Sequence, residues 1–232
     1  MGCEKAQKAQ IKTQDWLFKY FLRLLRLFVA AKPEIVVFDL GKVLVDFDYS
    51  IAARKIAGRS TKATRDLHSF LGSSPLLVQF ETGRLTRIDF FEEIRKITGF
   101  LGDVREFGDF FADIFIPIPA MVSLHRELRW HGHPTYIFSN TNDLAIEHIR
   151  RRFPFFRNFD GYVFSYEVGS MKPEDKIYKA VEKMTGRQGQ KIVYLDDRPE
   201  NIGTATGRGW RTILHETPEK SRAALKEMGL LA

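Results

Sequence analysis

Glu34-Ile-Val-Val-Phe-Asp-Leu-Gly-Lys-Val-Leu-Val-Asp46 is the stretch from which the fold can be read. Its first part is a short, continuous apolar run rich in β-branched residues, with no polar alternation. That is the form of a strand buried on both faces of a parallel sheet. The run ends at Asp39, so a carboxylate is predicted at the strand's carboxyl end. Working outward, Thr135-Tyr-Ile-Phe138 ends in the same way at Ser139, and Lys191-Ile-Val-Tyr-Leu195 at Asp196. Gly161–Phe164 and Thr212–Leu214 are two further candidate strands. Helical patterns over 121–130, 145–153, 175–185 and 201–208 lie between them. Strand and helix in alternation predict a doubly wound, Rossmann-like α/β sheet, in which ligands bind outside the carboxyl ends of the strands.

Between Asp48 and Ile116 the strand signal disappears, and helical periods at 88–97 and 105–114 replace it. Phe107, Phe110, Phe111 and Phe115 recur at helical spacing, as core residues of a helical insert would. The chain is therefore divided into a core of residues 33–48 and 117–232 and a helical cap of residues 49–116, inserted after the first strand. Ile116-Pro-Ile-Pro119 reads as the return linker. His131-Gly-His133, between a helix and a strand, reads as a capped turn rather than a metal pair.

Residues 1–32 form an appendage of different character. They carry seven cations against two acids, a net of +5 out of the chain's +7, which leaves +2 for the other 200 residues. The basic excess is thus not a nucleic-acid-binding face of the body. Over 14–31, Lys19, Arg23 and Arg26 would form one stripe on an otherwise apolar, aromatic-rich helix. Such a helix suits a peripheral membrane contact or packing on a protein surface; three cations argue against a spanning one. The single cysteine, Cys3, gives no internal disulfide, and a cytoplasmic setting, with or without membrane association, is expected.

Four groups stand at or beside the strand ends: Phe38-Asp-Leu-Gly-Lys-Val-Leu-Val-Asp46, Phe138-Ser-Asn-Thr-Asn142, Gly169-Ser-Met-Lys-Pro173 and Tyr194-Leu-Asp-Asp-Arg-Pro-Glu-Asn201. Singly, each has a plain reading as a turn or helix cap. Together they supply what phosphoryl transfer requires. Asp39 is a carboxylate nucleophile, while Ser139 and Lys172 offer donors and positive charge to the phosphoryl oxygens. Mg²⁺ takes few protein oxygens, and Asp39, the Gly41 carbonyl and Asp197 suit it.

In order and spacing these groups resemble the motifs of the haloacid dehalogenase-like hydrolases. With Phe80-Glu-Thr-Gly-Arg-Leu-Thr86 in the cap, they are most similar to the sugar-1-phosphate phosphatase branch. The resemblance spans about residues 34–215. It implies a Mg²⁺-dependent hydrolase of a small phosphorylated metabolite, sugar phosphates included, working through an aspartyl-phosphate on Asp39. It makes Asp197 the direct metal ligand, with Asp196 and Asn201 behind it and Asn140 and Lys172 at the substrate. The alternatives are a metal-independent 2-haloacid dehalogenase, or a catalytically weak, membrane-associated binding protein on the same fold. One departure matters: the family's phosphatases mostly place an aspartate two residues after the nucleophile, where this chain has Gly41. Rates should then favour good leaving groups, unless Asp46 or another acid supplies the proton.

Overall fold

The computed structural model describes residues 34–63 and 67–232. The expected amphipathic helix at 14–31 lies outside the described residues. Strand β1 (Ile35–Phe38) is the centre of a five-stranded, all-parallel sheet. It lies between β4 (Thr135–Ser139) and β6 (Ile192–Asp196), with β5 (Gly161–Phe164) and β7 (Arg211–Leu214) at the edges. Val36 and Phe38 enter one apolar cluster, and Ile35 and Val37 another on the opposite face. With both faces buried, the period-2 pattern of the strand leaves no polar alternation in the sequence. Removing each such side chain from water contributes about 1.5–3 kcal/mol.

Pairing fixes where the strands end. Phe38 is level with Ile137 and Leu195, so Asp39, Ser139 and Asp196 emerge together at one edge. The Asp39 N–H donates to the Leu195 carbonyl at 2.9 Å, which anchors the first residue beyond β1. The crossover helices occupy nearly the expected spans: Pro119–Trp130, Asp143–Arg152, Asp175–Thr185 and Pro199–Gly207. Gly132, at φ 83°, closes the first of these, in keeping with the turn expected at His131–His133.

Among the described residues five helices build the insert: α1 (Tyr49–Ala57), α2 (Leu67–Ser73), α3 (Pro75–Glu81), α4 (Arg87–Thr98) and α5 (Val104–Ala112). Their cluster is aromatic. Phe80 stacks on Phe90 at 4.5 Å and Phe107 on Phe111 at 5.8 Å, while Phe110 and Phe115 pack around them.

The return from the insert is more ordered than a linker. β2 (Val45–Phe47) and β3 (Phe115–Pro117) pair antiparallel, Asp46 opposite Ile116, as a ribbon where the insert leaves the core. Three-residue strands with a proline in one carry too little periodicity to be seen in the sequence. We place the boundary between core and cap at this ribbon, although Glu34–Ala232 pack as one compact unit. Among the described residues no helix is long and apolar enough to cross a membrane.

Candidate active site

Asp39, at the end of the central strand, is only 7% exposed. Its Oδ1 accepts the Leu40 N–H at 2.6 Å and lies 2.9 Å from Lys172 Nζ. That ammonium is itself buried and also reaches Asp196 Oδ2 at 2.7 Å, the Phe138 carbonyl at 3.1 Å and Tyr194 Oη at 3.1 Å. Asn140 holds it from behind: its Oδ1 accepts the Lys172 N–H at 2.7 Å and its Nδ2 donates to the Lys172 carbonyl at 3.0 Å.

Asp196 is fully buried and fully satisfied. Besides Lys172 it accepts from the Tyr194 hydroxyl, from Asn201 Nδ2 at 3.0 Å and from the Arg198 N–H at 2.8 Å. Asp197, next in sequence, is part-buried, and among the described residues it makes no ion pair. One oxygen from each of Asp39, Asp196 and Asp197 lies within 4.8 Å of the others. A cation beside Asp39 and Asp197 therefore fits the donor set, because Asp196 is already neutralised by Lys172 and Asp197 is not.

The charges are set by burial and by each other. Burial pushes the Asp39 carboxyl up to about 7, with Lys172 pulling it down and Asp196 adding to the rise. Burial opposes the charge on Lys172 as well, but Asp39 and Asp196 outweigh it and raise its pKa. Against its own burial, Asp196 is held below the usual carboxylate range by Lys172, Tyr194 and the Arg198 N–H. Asp197 is raised by burial and by the Asp196 charge.

Above these groups lies a cavity of about 200 Å³. The core supplies Asp39, Gly41, Ser139, Asn140, Lys172, Asp197 and Asn201 to its wall, and the ribbon and insert supply Phe47, Tyr49, Leu77 and Glu81. Among the described residues Ser139 Oγ makes only a 3.3 Å contact to its neighbour's carbonyl, so its hydroxyl can turn to a bound oxygen.

The chain matches the haloacid dehalogenase-like hydrolase family over residues 33–207. The chain belongs to the haloacid dehalogenase-like hydrolases. It is 25% identical over 176 residues to the sesquiterpene phosphatase astK of Aspergillus oryzae, covering 75% of this chain and 85% of that one. The fold is shared with a HAD-like family hydrolase of Porphyromonas gingivalis, with TM-score 0.72, 22% identity and 85% and 98% of the two chains covered. It is shared too with a HAD family enzyme of Bacteroides thetaiotaomicron in complex with magnesium and inorganic phosphate, with TM-score 0.70, 23% identity and 80% and 95% covered.

Asp39, Gly41, Ser139, Asn140, Lys172, Asp196, Asp197 and Asn201, singled out from the sequence of this hydrolase, meet at the carboxyl ends of the strands. Asn140 differs in detail, since its amide is engaged with the Lys172 backbone and so positions that residue. Asp46 stands apart from the cavity: its side chain is 61% exposed and pairs with Lys42. Three contributors were not anticipated. Tyr194 lies behind Lys172, Lys42 occupies a left-handed turn at φ 59°, and Glu81 reaches in from the insert. All three stand within the quoted motifs, Lys42 after Gly41, Glu81 after Phe80 and Tyr194 before Leu195, but the sequence alone assigns none of them a role in the site.

Proposed function

We propose that this hydrolase cleaves a small phosphomonoester with Mg²⁺ bound, Asp39 attacking phosphorus. The observation that carries this reading is the charge pattern at the end of β1. A carboxylate nucleophile shares a buried ammonium with Asp196, while the neighbouring Asp197 makes no ion pair among the described residues. Asp39, Asp197 and the Gly41 carbonyl would hold Mg²⁺, which when bound neutralises phosphoryl charge that a ring of carboxylates would otherwise repel.

Each residue then has a task its position supports. Lys172 favours the ionised form of Asp39, and a phosphoryl oxygen that reaches its ammonium takes an N–H from one of the four acceptors around it. Ser139 donates to a second oxygen, and Asn140 fixes the lysine that does the work. An aspartyl-phosphate on Asp39 forms as the alcohol leaves, and water then attacks its phosphorus. The named phosphatase relative and the magnesium-and-phosphate complex of the Bacteroides enzyme support the same chemistry.

A cavity of about 200 Å³ suits a phosphate with a small alcohol portion, and Phe47, Tyr49 and Leu77 line the side where that alcohol would sit. Sugar-1-phosphates and short alkyl or aryl phosphates are the classes to test. The dehalogenase alternative is opposed by Asp197, which would face the carboxylate of a 2-haloacid. A phosphomonoester panel assayed with Mg²⁺ and again with a chelator tests the proposal. Turnover that requires the metal supports it; halide release from 2-haloacids in the presence of chelator would overturn it.

A further inference from the structure

Gly41 leaves the leaving group of the proposed reaction without a proton donor from the nucleophile's own loop. The structure shows that this position is filled, because a Cβ on Gly41 would come 2.8 Å from Phe47 Cε1. The ring of Phe47, held by Tyr49 at 5.8 Å and Phe115 at 6.0 Å, occupies the space an acidic side chain would need. Asp46 does not replace it. Its carboxyl is held below the usual range by hydrogen bonds from Lys42 and the Phe47 N–H, so it carries no proton to give near neutrality.

The remaining carboxyl on the cavity wall is Glu81, the last residue of α3. It stands on the insert, which also supplies Tyr49, Gly72 and Leu77 to the cavity wall. Its position relative to the core is fixed by a close approach two residues later. Gly83 adopts φ +67°, and a Cβ there would lie 2.3 Å from the Tyr166 carbonyl oxygen, a contact only glycine allows. Asn142, which caps the helix after β4 from the core side, lowers the Glu81 pKa against the effect of burial. Among the described residues Glu81 forms no ion pair, and its charge adds to the rise of the Tyr49 pKa caused by burial. Lys42, Arg198, Lys172, Asp39 and Asp197 complete the charged lining of the cavity.

Resting on the phosphatase reading, we propose that Glu81 is the catalytic acid and base of this enzyme, supplied by the insert in place of the residue missing at Gly41. An Asp39 carboxylate oxygen bonds to phosphorus as the phosphorus–oxygen bond to the alcohol breaks. The departing oxygen takes that electron pair and receives the Glu81 proton, leaving as a neutral alcohol. The Glu81 carboxylate then takes a proton from the water that attacks the aspartyl-phosphate. The bond from Asp39 to phosphorus breaks, inorganic phosphate is released, and both side chains return to their starting states. Burial pushes the Glu81 carboxyl up to about 7 against the pull of Asn142, which gives it both a donating and an accepting form near neutral pH.

The test compares full-length wild type, Glu81→Gln and Glu81→Asp in single turnovers with Mg²⁺. The substrates are an unactivated alkyl phosphate and 2,4-dinitrophenyl phosphate, whose leaving group needs no proton. Read as the rate of alcohol or phenol release, which precedes the water step, Glu81→Gln is expected to lose about 10²–10⁴-fold on the alkyl ester but less than about 10-fold on the dinitrophenyl ester, with Glu81→Asp between. Activity on the dinitrophenyl ester also reports that each variant is folded. Equal losses on both esters, or none on either, would overturn the assignment while leaving the phosphatase reading intact. A wild type that hydrolyses neither ester sinks both.

Discussion

Lys172→Met removes the one ammonium that two buried carboxylates share while keeping most of the side-chain volume. Lys172 Nζ lies 2.9 Å from Asp39 and 2.7 Å from Asp196, with the lysine side chain 1% exposed, so water cannot replace it. Deleting one partner of such a pair costs about 3–5 kcal/mol. For a chain of this size that lowers the melting midpoint by about 6–20 °C. The loss should depend on pH. Asp39 is already raised to about 7 with the lysine in place, and without it the carboxyl moves further up. A carboxyl whose folded pKa lies above its unfolded value destabilises the fold as pH rises from about 4 through the folded pKa. The gap between variant and wild type should therefore be smaller at pH 5, where Asp196 alone is ionised without its partner, than at pH 8, where Asp39 is too, in thermal melts with chelator present. The protonated Asp39 of the variant is also a poor nucleophile, and kcat should fall at least about 10²-fold. Equal stability losses at both pH values, or none, would refute the shared-ammonium account.

Two further perturbations separate other parts of the site and core. Asp197→Asn should raise the Mg²⁺ concentration for half-maximal turnover at least about 10-fold, and in chelator it should melt above wild type, because a carboxyl raised by burial and by Asp196 opposes folding when ionised. A metal titration followed by melts checks both. Burial pushes His125 down to about 4, the Arg129 charge adding to it, and its ring stacks on Phe159 at 3.9 Å. A histidine depressed in the fold takes up its proton on unfolding, so stability is full above pH 6.5 and falls by up to about 3 kcal/mol as the pH drops toward 4. His125→Leu should flatten that part of the stability profile, and an unchanged slope would show that other groups cause it.

What the sequence disclosed follows from which residues carry their own pattern. Ile35–Phe38 announced itself because both faces are buried, and Asp39, Ser139 and Asp196 were legible because each ends such a run. The loop lysine Lys172 was found only through the order of the four motifs. What stayed hidden depends on tertiary docking. Glu81 ends an ordinary amphipathic helix, and it becomes a site residue only because Gly83 lets the insert close on Tyr166. Phe47 looks like one more apolar residue until its ring is seen against Gly41, and Tyr194 like a core aromatic until its hydroxyl meets Lys172 and Asp196. The β2–β3 ribbon was too short, and too marked by Pro117, to read as strands.

The account turns on Asp39 as the nucleophile, and the most direct measurement is phosphomonoester turnover with Mg²⁺ by Asp39→Asn beside wild type. The variant keeps the shape of the side chain and should still fold and bind substrate, yet it has no carboxylate oxygen to bond to phosphorus. The account predicts that phosphate release falls to the background rate on every ester, including those with the best leaving groups. Turnover near the wild-type rate on any ester that the wild type hydrolyses would contradict it.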